Sequence, residues 1–201
     1  MRKSSLALAA LAGAAMIVAP LTASASTAAA PASSTSASAT QTLSFRGMHL
    51  RIPSSWEVYR DTDRVKVITG ACSKPSAGYF TPKCEAFWIF GPKVIKYGHE
   101  GFSAYTPDQP FYPASDVEPC PFNGKYGQVL GKAYASGLRQ VGRGHKAEFR
   151  GWLGRCVKTG NGKQTATFYQ REWFLPTSKI LIVDVWDNAW LVDVLRSATW
   201  G

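Results

Sequence analysis

A basic stretch in the second half of the chain holds the side chains best suited to chemistry. Residues 139–163 contain seven lysines or arginines and a single acid, Glu148. Such a surface attracts polyanions through a long-range field that salt weakens, although a merely solvated face has the same composition. Trp152 lies inside the stretch, and an aromatic ring among cations can stack on a sugar or a base. The candidate binding residues are Arg139, Arg143, His145, Lys146, Arg150, Trp152 and Arg155.

His145 and Glu148 offer an alternative interpretation of this stretch as a catalytic site. An imidazole, a carboxylate and nearby cations around one phosphate would suit a small secreted ribonuclease. Residues three apart in a strand point to opposite faces, so the pair converges only if the adjacent turn bends the two side chains together. We therefore favour structural or surface roles, and keep a hydrolase acting on RNA or glycan as the alternative function.

Asp184 and Asp187, beside Trp186, form a further candidate, because paired carboxylates with an aromatic ring are typical of a glycan-cleaving site. The simpler interpretation is that Asp184 ends a strand and Asp187 caps the helix after it. The sequence lacks the nucleophile pattern Gly-x-Ser-x-Gly, and Gly142 and Gly144 lack the rest of a phosphate-binding loop. We assign no catalytic residue and no cofactor.

The four cysteines, Cys72, Cys84, Cys120 and Cys156, admit three pairings. Residues 74–78 are turn-forming, which favours a bond between Cys72 and Cys84 and leaves Cys120 to pair with Cys156. Zinc is the rival interpretation, but the sequence has no Cys-x-x-Cys pair and no paired histidine spacing. We predict two disulfides and no metal site.

The N-terminus has the layout of a secretory signal peptide. Arg2 and Lys3 precede a 14-residue apolar run at residues 6–19, and residues 23–25 supply a small-residue cleavage site. The run is shorter than the roughly 20 residues of a membrane helix. We predict a secreted protein with no membrane span, in a compartment where disulfides persist. Loss of Arg2 and Lys3 leaves 21 basic against 13 acidic residues, a formal charge of +8.

Three segments follow from this layout. Residues 1–25 are the predicted signal peptide. Residues 26–42 are uncharged and rich in Ala, Ser and Thr, so they lack the apolar surface needed to fold and are predicted to be a disordered linker. Residues 43–201 have the length of one domain.

Alternating apolar and polar residues predict strands over most of this domain. Asn161 and Gly162 give the strongest hairpin signal, and residues 142–144 form a second turn. In the strand between the two turns, Ala147, Phe149 and Leu153 share one face, while Glu148, Arg150 and Trp152 share the other, which we expect to be exposed. The strands are predicted at 48–52, 65–69, 86–90, 128–141, 145–156, 165–175 and 180–185.

Two segments depart from this pattern. Residues 97–127 have no periodicity and predict a long irregular excursion held by Cys120. From Asn188 onward, apolar residues recur at helical spacing, with Asp187 or Asn188 as the cap. Residues 180–185 are apolar on both faces and should lie centrally in the sheet. The fold class is α+β, mainly an antiparallel β-sheet with a C-terminal amphipathic helix packed on it.

The two ends of the folded part resemble domains of the PsbP-like fold and secreted actinobacterial proteins of unknown function. In residues 45–56 a short strand runs into the turn Pro53-Ser54-Ser55-Trp56, and residues 171–176 are followed by an apolar strand and a closing helix. The resemblance implies a helix-sheet sandwich used as a non-catalytic accessory or binding module. It implies no catalytic residue, and neither residues 97–127 nor the cysteines belong to its common pattern.

The favoured function is a secreted, disulfide-stabilised binding or accessory domain without enzymatic activity. Its basic face would bind an anionic polymer of the cell envelope or an acidic extracellular protein, with nucleic acid a less favoured partner. A structural or inhibitory protein that uses residues 107–121 as its contact surface is the third hypothesis. The sequence leaves the oligomeric state and the identity of the ligand open.

Overall fold

The computed structural model describes residues 39–76 and 78–201, most of which lie in antiparallel strands. Two sheets are formed, with few helical residues. The strands are β1 (Thr40–Phe45), β2 (Met48–Pro53), β3 (Glu57–Asp61), β4 (Arg64–Cys72), β5 (Cys84–Phe90), β6 (Pro119–Cys120), β7 (Asn123–Gln140), β8 (Lys146–Val157), β9 (Gln164–Leu175), β10 (Ile180–Asp184) and β11 (Thr199–Trp200). The helices are α1 (Pro92–Ile95) and α2 (Leu191–Arg196), with a 3₁₀ turn at Glu100–Phe102.

The larger sheet has eight strands in the order β3-β4-β5-β10-β9-β8-β7-β6, and the smaller has the order β1-β2-β11. All five residues of β10 are buried, as the apolar run at 180–185 predicts for a central strand. Apolar residues on both sides of a strand require cover on both faces of the sheet. The sheet is covered in this way around β10, by different parts of the chain on each face.

We call one side of the large sheet the helix face, because α2 and β2 pack against it. Its buried cluster includes Phe149, Trp173 and Ile182 of the sheet together with Leu50 of β2 and Leu195 of α2. The Asn188 side-chain oxygen accepts the backbone N–H groups of Trp190 and Leu191 at 3.0 and 3.1 Å in the turn that leads into the helix. The N-cap position itself is Trp190, so neither predicted cap residue occupies it. The helix is short, ending at Arg196.

The opposite side is the loop face, which is covered by residues 91–122, here called the covering segment. Phe111 and Tyr105 of this segment are buried in one cluster with Phe90, Leu181 and the neighbouring apolar residues of β5 and β10. The predicted irregular excursion is therefore a structural layer rather than a projecting loop. It ends earlier than predicted, because β7 already begins at Asn123.

The disulfides join Cys72 to Cys84 and Cys120 to Cys156, the pairing that the turn residues favoured. The first links neighbouring strands β4 and β5. The second ties the end of the covering segment to β8. Both predicted turns are present as the connections between β7 and β8 and between β8 and β9.

The N-terminal boundary differs slightly from the prediction. β1 begins at Thr40 and pairs with β2, so the last three residues of the segment predicted as linker belong to a strand. Pairing with β2 gives the backbone N–H and C=O groups of these residues hydrogen-bond partners. The strand therefore forms although these polar residues bury little surface. The predicted signal peptide and the rest of the linker lie outside the described residues. Among the residues that are described, no helix is long and apolar enough to cross a membrane.

Candidate anion-binding surface

The cations of the predicted basic stretch lie on opposite faces of the sheet. Cross-strand pairing places Arg139 opposite Ala147 and Arg155 opposite Thr167, on the helix face. Lys146 and Arg150 alternate with these positions along β8 and lie on the loop face. Arg143 is in the exposed turn before β8. The stretch is continuous in sequence, but it does not form one basic patch.

The prediction that Trp152 lies on an exposed face is wrong. Trp152 is only 6% exposed, on the loop face with Glu148 and Arg150. The alternation along β8 was assigned correctly, but the covering segment occupies the face that was expected to meet solvent. Trp152 is therefore excluded from direct contact with a ligand.

A polar cluster lies beneath the covering segment, centred on the fully buried Glu172. The Tyr105 hydroxyl donates to its carboxylate at 2.7 Å, the Phe111 backbone N–H at 2.8 Å and the Gln170 amide at 2.7 Å. Burial raises the pKa of Glu172 and outweighs these hydrogen bonds. The buried indole Nε1 of Trp152 has no hydrogen-bond partner of ordinary geometry in the described chain, and its proximity to Glu172 acts to lower the pKa of that carboxyl.

The geometry around His145 and Glu148 offers no support for the catalytic alternative. The His145 ring stacks on Trp200, with ring centroids 4.1 Å apart, and its Nδ1 lies 3.2 Å from the Arg143 carbonyl oxygen. Glu148 is half-buried on the loop face. Across residues 39–76 and 78–201, no hydrogen bond or ion pair links the two side chains.

The outer half of the helix face is open, because β1, β2 and α2 cover only the part nearer the β7–β8 turn. Tyr134 and Tyr169 are 50% and 45% exposed there, and Leu153 is 38% exposed. Tyr169 lies directly opposite Leu153 in the β8–β9 pairing. We call the group Tyr134, Arg139, Leu153, Arg155, Tyr169 and Arg171 the tyrosine–arginine surface.

None of the three strands that form this surface contributes a carboxylate to it. Within β7, β8 and β9, which are fully described, the acids are Glu148 and Glu172, and both lie on the loop face. Arg139 and Arg155 are exposed and form no ion pair within the described chain. The Arg139 guanidinium lies over the Phe149 ring at 4.9 Å and donates to the Leu138 carbonyl oxygen. These two cations are free to bind an external anion.

Arg171 differs, because carboxylates from the β10–α2 connection already hold it. Its Nε and Nη2 donate to the same oxygen of buried Asp184 at 3.0 and 2.5 Å, and its Nη1 lies 2.9 Å from Asp187. Burial raises the pKa of Asp184, while Arg171 opposes that shift. Asp184 also accepts the backbone N–H of Trp186. The aspartates considered as a glycan-cleaving pair thus anchor an arginine, and Asp187 is not the N-cap of α2, which is Trp190.

A small pocket of about 100 Å³ opens where this surface meets α2. Arg139 and Arg171 form part of its wall, and Arg196 closes it from the helix, where it also pairs with exposed Asp193 at 3.2 Å. A pocket with guanidinium groups over aromatic rings suits an anionic group such as a carboxylate or phosphate. The lining residues are Arg139, Gln140, Phe149, Arg171, Trp173, Val192 and Arg196.

Part of this surface was predictable from sequence. Charge indicated Arg139 and Arg155, whereas Tyr134, Tyr169 and Arg171 were not predicted. The alternation of β9 already placed Tyr169 and Arg171 on one face, and the Asn161-Gly162 hairpin signal could have set them against β8. Tyr134 lies at a bulge, where the register between β7 and β8 shifts, and alternation gives no signal there.

The fold and this surface define a disulfide-braced, mainly antiparallel β domain with an aromatic and basic sheet face. Comparison with protein-family models, with curated proteins and with solved structures gives no match.

Proposed function

We propose that this chain is a secreted binding domain without enzymatic activity, and that its tyrosine–arginine surface binds an anionic polymer of the cell envelope. One observation carries the proposal. The exposed face of β7, β8 and β9 presents the unpaired cations Arg139 and Arg155 and no carboxylate of its own.

The electrostatics of this arrangement favour a polyanion over a neutral ligand. Arg139 and Arg155 are exposed and have no acidic neighbours on their own strands, so they raise the local concentration of anions around them. The formal charge of +8 expected after loss of Arg2 and Lys3 adds to that field. Exposed charges are screened by salt, so binding should weaken steeply as ionic strength rises.

Export is part of the proposal and rests on two features. The leader at residues 1–25 has the order of charged, apolar and small residues that secretion requires. The two disulfides, which leave no described cysteine free, are typical of proteins outside the cytoplasm.

Charge reversal at Arg139 and Arg155 tests the proposal. The double variant Arg139→Glu with Arg155→Glu should bind immobilised polyphosphate at least about tenfold more weakly, and it should elute at lower salt, because two ionic contacts become repulsive. Elution profiles and dissociation constants at several salt concentrations provide the measurement.

A control variant makes the same change in net charge on the loop-face side of the domain. Lys96→Glu with Lys146→Glu alters two exposed lysines, of which Lys146 belongs to the same basic stretch of sequence. It should leave binding within about threefold of wild type, since only the long-range field changes. Equal weakening by both double variants would mean that net charge alone matters, and would refute a specific surface.

A further inference from the structure

We propose that the polymer is an acidic polysaccharide whose charges are separated by neutral sugars, and that Tyr134 and Tyr169 stack on its rings. This inference rests on the proposed function and names the chemistry of its ligand. It follows from the geometry of the two tyrosines and from the spacing of the cations around them.

Tyr134 and Tyr169 form an open aromatic corner on the sheet. Their ring centroids are 4.9 Å apart and their planes are inclined at 60°. The Tyr134 ring lies across Gly151, where an added Cβ would come within 2.5 Å of the ring. Gly151 therefore lets the ring lie close to the backbone and present its other side outward.

The hydroxyl groups of both tyrosines are available to a ligand. Neither hydroxyl has a hydrogen-bond partner within the part of the chain that is described, although each ring is about half exposed. An exposed aromatic ring with a free hydroxyl can pack on the apolar side of a sugar and hydrogen-bond its edge. Two rings inclined to each other can contact one sugar from two directions, which a flat surface cannot do.

Cations on this face are spaced widely along the strands. Positions along β8 give the spacing: Arg139 of β7 lies opposite Ala147, and Arg171 of β9 lies opposite Gly151. Arg155 lies on β8 itself, four residues after Gly151. Four residues of strand span about 13 Å. The positions between them hold uncharged side chains, including both tyrosines. Arg171 is already paired with carboxylates, so the unpaired charges lie farther apart still.

This spacing fits a polymer with intermittent charge. A polysaccharide with an acid on alternate sugars places neutral, hydroxyl-rich rings between its carboxylates, which matches the order of cation, tyrosine and cation on the surface. A single-stranded nucleic acid carries a phosphate on every nucleotide and requires a continuous basic track. Asp187 lies at the edge of this surface, where its carboxylate is 2.9 Å from the Arg171 guanidinium. That carboxylate can accept hydrogen bonds from the hydroxyl groups of a neutral sugar.

The test compares probes that separate sugar from charge. Hyaluronan carries a carboxylate on alternate sugars, polyphosphate has charge without sugar, dextran has sugar without charge, and oligo-dT supplies stacking bases. The double variant Tyr134→Ala with Tyr169→Ala should bind hyaluronan at least about tenfold more weakly and polyphosphate within about twofold of wild type. Tyr134→Phe with Tyr169→Phe, which keeps the rings, should retain most of the hyaluronan affinity.

Tyr97→Ala is the matched control. Tyr97 is 49% exposed on the covering segment, away from the tyrosine–arginine surface, and its removal should leave hyaluronan binding unchanged. Circular dichroism and the unfolding midpoint of each variant establish that the fold is intact.

Several outcomes would overturn the inference. Equal loss of hyaluronan and polyphosphate binding in the alanine variant would assign the tyrosines a structural role. Tighter, tyrosine-dependent binding of oligo-dT would identify a nucleic-acid surface. If polyphosphate is retained but hyaluronan binds no better than dextran, the inference is overturned while the proposed function stands. Failure to retain any polyanion would remove the proposed function itself.

Discussion

Glu172 is a buried residue whose hydrogen bonds hold the covering segment over the sheet. Its carboxylate receives hydrogen bonds from Tyr105 and from the Phe111 backbone, both in the covering segment. Arg150 lies opposite it in the strand pairing, but no ion pair joins them in the described structure. The carboxylate is therefore stabilised by neutral donors, and those donors fix the segment that buries Trp152.

Glu172→Gln should flatten the dependence of stability on pH. Burial raises the folded-state pKa of Glu172 above its ordinary value of 4.5. A carboxyl with a raised folded-state pKa contributes stability that is fully present below the ordinary pKa and is lost as the pH rises through the folded-state pKa. Wild type should therefore lose free energy of unfolding as the pH rises above the ordinary pKa of 4.5, and the glutamine variant should lose less.

Urea unfolding at several pH values measures this effect. Glutamine suits the site because its oxygen can accept from Phe111 and Gln170 while its amide donates to the Tyr105 oxygen. Glu172→Ala instead leaves these donors unpaired and should cost roughly 2 to 4 kcal/mol at every pH. Parallel pH profiles for wild type and the glutamine variant would rule out Glu172 as the source of the slope, and burial of Asp184 would remain as an explanation.

At the scale of elements, β8 is the strand whose two faces matter most. Phe149 packs against the helix-face core, and Trp152 packs beneath the covering segment. Farther along the same strand, Leu153 and Arg155 are exposed, because the cover on the helix face ends. One strand therefore contributes to two cores and to the exposed tyrosine–arginine surface.

The turn between β7 and β8 fixes the start of that strand against α2. The Gly142 backbone N–H donates to the Leu195 carbonyl oxygen at 2.9 Å, and a Cβ at this position would overlap the Ala198 carbonyl oxygen. Gly142 and Gly144 both have positive φ, of 73° and 78°, but a Cβ on Gly144 would meet open space. The two glycines therefore share a backbone conformation and differ in the space available for a Cβ atom.

Gly142→Ala should destabilise the protein more than Gly144→Ala. Both alanines adopt a left-handed conformation that costs about 1 to 2 kcal/mol. Only Gly142→Ala adds a clash with fixed backbone, which should cost a further roughly 1 to 3 kcal/mol. Chemical denaturation of the two variants measures the difference. Equal losses would show that the turn does not dock closely on the end of α2.

The elements were largely predictable from sequence because local signals specify them. Asn161-Gly162 marked a hairpin, and the doubly apolar residues 180–185 marked the central strand. Cover was not predictable, since the aperiodic residues 97–127 gave no indication that they would bury Trp152. The exposure of a strand face depends on what packs on it, and that packing partner is distant in sequence.

On the scale of the whole molecule, the domain separates a polar buried side from an open basic side. The loop face buries Glu172 beneath the covering segment, while the helix face leaves its outer half free. The position of this surface depends on which parts of the chain cover each face of the sheet. Charge alone selected Arg139 and Arg155, but it also selected Lys146 and Arg150, which three-dimensional pairing places on the other face.

The disulfide between Cys120 and Cys156 should contribute more stability than the one between Cys72 and Cys84. The two bonds close loops of 36 and 12 residues respectively. Because each bond lowers the chain entropy of the unfolded state, the bonds should contribute about 4 and about 3 kcal/mol to stability. Cys120 and Cys156 are also both buried with Phe168, so their replacement removes packing.

Paired alanine variants in non-reducing urea denaturation measure this order. Cys120→Ala with Cys156→Ala should lose roughly 1 kcal/mol more than Cys72→Ala with Cys84→Ala, with the packing loss added to that difference. The longer bond also holds the end of the covering segment, so its loss should expose Trp152 to quenching before global unfolding. An equal or reversed order of stability would mean that the covering segment is held by the Glu172 cluster and apolar packing alone.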